Sequence, residues 1–346
     1  MLNILIFSVI YTGSISYNGL ASDFAIENNQ IWVSFPLENK VLDYSFEHEL
    51  KVQSPAVILA ENNYLYVVNN LKNEILVFKN KIFSKSIKLP KGDYVSGILN
   101  NNEIYLLDRE SAKILIIDPA IDGVQRLNSI NLPSYKPIDF KIFNNKLFVL
   151  DRRGPAPRLR IMSYNLKGTI LDTLIEIKGT IGGGICPAIV DNKELLFISN
   201  ALMGKIYIYS LSQNSIIDSF GNYGDSLLQF KTPTKMIWKN DKLYILNQRN
   251  SRIDIFSFYP TEIKEKPFDN INITNNSLLL NLNIPSGNYQ INIFSVDGRK
   301  LLNENIKIIN GKLNKNFPIK LKKGVYFIIL KEKNGKFFIK KGVRIK

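Results

Sequence analysis

A short apolar run with an aromatic at its second position recurs six times along most of the chain. The six are Ile31-Trp32-Val33, Leu65-Tyr66-Val67, Ile104-Tyr105-Leu106, Leu147-Phe148-Val149, Leu196-Phe197-Ile198 and Leu243-Tyr244-Ile245. Apolar runs this short, bounded by turn residues, predict strands covered on both faces. Successive aromatics are 34, 39, 43, 49 and 47 residues apart, the period of four-stranded propeller blades. In five units a second alternating strand begins eight residues past the triplet, at Val41, Ile75, Ile114, Ile206 and Ile253. The fourth unit differs, because Arg153-Gly154-Pro155-Ala156-Pro157 lengthens its turn. Pro55, Pro137 and Pro233 stand eleven residues ahead of their aromatics and Pro187 ten ahead. Proline suits the first residue of an inner strand, where no ladder donor is needed. No stretch has a helical period, so the pattern predicts an all-β fold with a six-bladed β-propeller over residues 22–258.

Residues 259–269 read as a charged linker bounded by Pro260 and Pro267. Alternating strands return beyond it, punctuated by turns at Asp297-Gly298, Asn310-Gly311 and Asn334-Gly335. They predict a small antiparallel β-sandwich of immunoglobulin-like type over residues 270–346. Charge marks the same boundary. The whole chain carries a net +15, yet from Pro267 onward there are 15 Lys and Arg against 4 Asp and Glu. A basic tail follows a nearly neutral body. The aromatics lie mostly at core positions of the other domain, which argues against nucleic-acid binding.

The chain opens with MLNILIFSVIYTGSIS, an apolar run that ends in small residues. Residues 1–16 therefore read as a secretory signal peptide, with a buried first strand as the other reading. No later segment is long and apolar enough for a transmembrane helix. One cysteine, Cys186, excludes an intramolecular disulfide, and one histidine, His48, in an acidic loop, excludes His- and Cys-rich zinc sites.

Residues 220–256 resemble an NHL repeat, on Gly221, Gly224, Gln229, Phe230, Pro233, Tyr244, Asn250, Arg252 and Ile253, with Asn247 where the family usually has Asp. That resemblance implies a propeller blade and little about activity. The last seventy residues resemble the type A C-terminal sorting domain of the type IX secretion system. Tyr289, Ile291, Ile293, Phe294, Gly298 and Arg299 match one family motif. Leu321, Gly324, Val325 and Tyr326 match the next, and a basic last strand holds Lys340 and Lys341. The resemblance implies export from a Gram-negative cell through the type IX machinery, to the medium or the outer-membrane surface.

Candidate chemistry is sparse. Aligning the inner strands on their prolines puts Asp23, Val57, Ser96, Asp139, Ile189 or Ala188, and Lys235 at equivalent places. Asp23 and Asp139 then oppose each other on blades one and four. They are a candidate pair for a divalent cation such as Ca2+, as in a lactonase-like metal-dependent hydrolase or lyase. The other reading is a wet channel lined by polar groups that Lys235 balances. In the long turn of blade four, Arg152, Arg153 and Arg158 are candidate contacts for an acidic glycan or peptide; pairing with Asp151 is the alternative. Gly182-Gly183-Gly184 reads as a flexible loop. Together these features point to a secreted or cell-surface binding module, with the propeller enzyme as the competing reading.

Overall fold

A computed structural model describes residues 7–28, 30–43, 48–121, 128–134, 136–152 and 157–260. In the C-terminal part it describes residues 270–274, 277–283, 286–295, 300–310, 312–319, 324–332 and 337–345. Six four-stranded antiparallel sheets form the propeller. Blades one to five span residues 23–51, 55–88, 94–131, 137–178 and 182–220. Blade six is built from Pro233–Lys239, Lys242–Asn247 and Arg252–Pro260, with Phe7–Ser16 as its outermost strand. The only helices among the described residues are two three-residue 3-10 turns.

The aromatic triplets are second strands, and their two faces pack against different neighbours. Leu65 and Val67 face blade one beside Trp32 and Ile58, whereas Tyr66 and Val68 face blade three beside Tyr94 and Leu106. Tyr105 packs on Phe140 of blade four, and Phe148 on Ile185 of blade five. The core is thus a ring of apolar layers between blades. That explains runs with no polar alternation.

A two-residue hairpin joins first to second strand in every blade. Asn62-Asn63, Asn101-Asn102, Asn144-Asn145, Asp191-Asn192 and Asn240-Asp241 all have positive φ at both residues, and Asn28 has it in blade one. Asn and Asp tolerate this left-handed region, and such turns match the twist of the strands they join.

Blade five departs from the alignment on prolines. Pro55, Pro137 and Pro233 pair with Asn69, Asp151 and Asn247, but the residue pairing with Asn200 is Gly182. Pro187 lies deeper, opposite Leu196. The equivalent of Asp139 is consequently Gly184, not Ile189 or Ala188. The three glycines are the start of an inner strand, Gly182–Val190, rather than a loop. Their smallness has a cause: a Cβ on Gly183 would stand 2.0 Å from the Pro233 carbonyl oxygen of blade six. Only glycine lets the two inner strands approach this closely.

Phe7–Ser16, read from sequence as a leader or as a first strand, is a strand of blade six in the structure. The strand pairs antiparallel with Arg252–Pro260 from Phe7↔Pro260 to Ser16↔Arg252. Tyr11 meets Phe256 edge to face at 5.7 Å, and Ile15 is buried in the layer between blades six and one. Its alternation suits an outer strand as well as a leader. The sixth blade has no other fourth strand among the described residues.

The chain divides into two units, Met1–Asp225 with Gln229–Pro260, and Ser226–Leu228 with Thr261–Lys346. The described residues of the C-terminal unit form seven strands in two antiparallel sheets, one of three strands and one of four. Tyr289, Ile291 and Ile293 alternate on one face of the strand Gly287–Ser295 and are buried. Gly324 and Tyr326 lie in the strand Gly324–Glu332, and Lys340 and Lys341 in Phe337–Ile345. Gly298 and Arg299 lie outside the described residues.

Candidate functional site

Every blade follows the same path, so the turns from second to third strands emerge on one propeller face. The connections entering each inner strand emerge there too. In blades three to six this face is stitched by the Asn or Asp that ends the second strand. Asp108 accepts the N–H of Asp93 (2.9 Å), Asn247 that of Lys231 (2.8 Å), and Asp151 the hydroxyl of Ser134 (2.8 Å). Thr180 donates to Asn200 in the same way. These bonds tie each turn to the chain entering its own blade. In blade six, Asn250 and Arg252 also hold the preceding loop, donating to the carbonyls of Gly224 (2.9 Å) and Gln229 (3.0 Å) respectively. Gly221 there, at φ 84°, leaves room for the buried Phe230 ring.

On this face the mouth of the channel opens into a cavity of ≈ 700 Å³. Arg109, Lys136, Arg152, Gly183, Thr232 and Thr234 are among the residues lining it. The volume is that of a ligand site. Arg109 is bound to Asp93, Nε to Oδ2 at 2.8 Å. Arg152 is exposed at the rim, where its backbone N–H is held by the Lys136 carbonyl (3.3 Å). The Thr234 hydroxyl is buried and has no hydrogen-bond partner.

Next along the inner strands lies a buried cluster of four charges. Asp139 accepts from Ser96 Oγ (2.5 Å), Lys141 Nζ (2.8 Å), and the N–H groups of Phe140 and Ile185 (both 2.9 Å). Asp23 accepts from the N–H groups of Phe24 (2.8 Å) and Ile58 (3.1 Å), and Lys235 Nζ lies 3.3 Å away. Each carboxylate thus pins its own blade to the next one, one to two and four to five. Burial pushes both carboxylates up. For Asp139 the nearby charges of Lys141 and Lys235 outweigh it and hold the group below the usual carboxylate range. For Asp23 burial prevails over Lys235, and the group stays raised. Burial lowers Lys141 despite Asp139, whereas Asp23 and Asp139 together raise Lys235 against its own burial. The cluster is neutral overall, two carboxylates with two ammonium groups.

A cation between Asp23 and Asp139 would need lone pairs that these donors already occupy. Among the described residues no three His, Cys, Asp or Glu side chains converge as a ligand set. Lys141 carries the same signal as Asp139, since residues two apart share one side of a strand. The Cys186 thiol is pushed up by burial to about 12 and stays protonated. His48 is exposed in the loop before the outer strand of blade one.

The structure separates the blade-four arginines. Arg152 reaches the cavity, while Arg158 is bound to Glu176 of the neighbouring strand at 2.6 Å. Arg153 lies outside the described residues. Arg160 is buried and forked onto Asp151, with Nε at 2.9 Å from Oδ1, so the pairing with Asp151 falls to Arg160.

No curated protein matches the sequence. Solved structures share the fold at low identity. Hydrazine synthase of Kuenenia stuttgartiensis is 14% identical with a TM-score of 0.52, over 71% of this chain and 79% of that one. The β-propeller domain of Cps50 (Swd1) from Myceliophteria thermophila is 10% identical with a TM-score of 0.51, over 72% and 99%. The PQQ-bound aldose sugar dehydrogenase of Streptomyces coelicolor is 11% identical with a TM-score of 0.51, over 73% and 99%. These likenesses concern the propeller alone. Residues 269–345 match the family described as secretion system C-terminal sorting domain. No helix among the described residues is long and apolar enough to cross a membrane. The chain is therefore a secreted or cell-surface six-bladed β-propeller, exported by type IX secretion on its C-terminal sorting domain.

Proposed function

We propose that the propeller is a non-catalytic binding module that holds an acidic glycan or peptide at the channel mouth, with Arg152 as a contact. The observation that carries this reading is the ≈ 700 Å³ cavity with Arg152 at its rim. The rim is rigid, because the side chains ending the second strands bond the chain entering the same blades. Arg158, already bound to Glu176, contributes less. The neutral cluster below supports a plugged channel over a metal-dependent hydrolase or lyase, because lysine ammonium groups stand as counter-ions to both carboxylates.

Titration of the full chain with poly-glutamate and with polygalacturonate tests the proposal. Arg152→Ala should weaken binding at least tenfold, the loss of one charge-assisted contact worth about 1.5–3 kcal/mol. The melting temperature should not change, since this side chain supports no packing. Calcium should leave the melting temperature unchanged as well. A calcium-dependent rise would instead favour the metal-dependent enzyme.

A further inference from the structure

The two propeller faces differ in a way that bears on the ligand. Turns between first and second strands, on the face away from the cavity, consist of Asn and Asp. On the cavity face, three blades present aliphatic side chains at their turn tips. Leu37 is 80% exposed in blade one, Leu71 70% in blade two, and Leu202 and Met203 are 50% and 53% in blade five. Tyr223, 55% exposed, adjoins the blade-five turn: its Cα lies 2.8 Å from where a Cβ on Gly204 would stand. The tips of the other three blades carry Arg109, Arg152 and Arg249. Leucine this exposed at a turn tip adds little to blade packing. Arg, Met and Tyr beside aliphatic side chains are the composition of a protein-binding patch, whereas Lys and Glu dominate ordinary surface. Met and Leu tips also adapt to irregular apolar side chains, for which a polyhydroxylated uronate chain has no counterpart.

We propose that the cavity face docks an extended protein segment bearing carboxylates flanked by aliphatic side chains, not an acidic glycan. This rests on the reading of that face as the binding face. Carboxylates meet Arg152, Arg249 and the mouth of the cavity, Arg109 being bound to Asp93, and the aliphatic side chains cover Leu37, Leu71, Leu202 and Met203. Other exposed apolar residues, such as Ile82, Phe83 and Ile170, begin fourth strands at the outer blade edges and serve as a control surface.

The test measures binding of the full chain to a repeating Glu-Leu-Gly peptide, to versions with Gln for Glu and Ser for Leu, and to polygalacturonate. The Glu-Leu-Gly peptide should bind, and each altered peptide should bind at least tenfold more weakly. Leu37→Ser/Leu71→Ser/Leu202→Ser should weaken the parent peptide about tenfold, and Ile82→Ser/Phe83→Ser should change nothing. If polygalacturonate binds as tightly as the peptide, and Arg152→Ala weakens it while the leucine triple variant does not, the site is a glycan site. The peptide proposal then falls while the acidic-ligand reading stands. If no acidic probe binds, or Arg152→Ala has no effect on any, both fall together. A loss confined to the Ile82→Ser/Phe83→Ser variant would place the docking surface on the outer edge and overturn the proposal.

Discussion

Asp139→Ala is expected to destabilise the propeller by about 3–5 kcal/mol, the range for leaving a buried charge without its partner. The substitution strands Lys141 and removes the acceptor for Ser96 and for the Ile185 N–H of blade five. Asp23→Ala should cost less. Burial already raises the Asp23 pKa, and Lys235 keeps Asp139 as a second counter-charge. Denaturant unfolding of the two variants checks the order. The pH dependence has a definite sign. Asp139 is held below its ordinary range, so the unfolded chain takes up its proton first as the pH falls. The stability contributed by this charge is complete above the ordinary carboxylate range and is lost as the pH drops through the depressed value. Melting temperatures of wild type and Asp139→Asn should therefore differ most at neutral pH and converge in acid. A constant offset would show that the hydrogen bonds matter and the charge does not.

Removal of residues 7–16 is the second change with a large expected effect. It would leave blade six with three strands and bare the edge of Arg252–Pro260 to solvent. Burial of Ile15 alone is worth about 1.5–3 kcal/mol, and the strand's ladder and the Tyr11–Phe256 contact are lost besides. The truncated propeller should melt well below the full chain and aggregate through the open edge. The N-terminal sequence of the exported protein then distinguishes the two roles of this segment. A start at or before Phe7 keeps the closing strand. A start near Tyr17 would mean that the segment is cut as a leader and that the mature blade stands with three strands.

Most of the propeller was legible because its signal is local. A second strand covered on both faces must be apolar throughout, and the Trp32, Tyr66 and Tyr105 strands announce themselves by that. The Asn-Asn pairs are just as regular in the sequence and mark each hairpin two residues before the second strand in most blades. They are a signal the aromatic count leaves unused. Pro187 misleads because proline suits an edge-like inner strand at more than one place, and nothing local shows that Gly182 has taken the usual proline's position. That choice is made by the close approach of Leu150 from blade four to Gly182 and of Pro233 from blade six to Gly183. Asp23 and Asp139 were legible as inner-strand carboxylates. Their lysine partners were only half so, since the reach of Lys235 to Asp23 spans 212 residues. Among the arginines, sequence places Arg152 and Arg158 in one turn region, yet one faces the cavity and the other an outer strand. The divergence follows from which of them lies before the third strand and which lies within it.

Closure by the N-terminal strand has a consequence for the order of folding. The earliest strand of the chain pairs with one of the propeller's last, and the bond from Thr12 to the Ile255 carbonyl joins residues 243 apart. Blades one to five consist of neighbours in sequence and can form as each is synthesised. The sixth cannot, because its outer strand is made before blade one and must wait for Arg252–Pro260. Contacts of such separation dominate the entropic barrier and slow the last step. Any chain interrupted before Arg252 therefore carries an unpaired N-terminal strand and an open ring. Such a chain is distinguishable from a finished propeller by proteolysis at its first residues, however well its first five blades have folded.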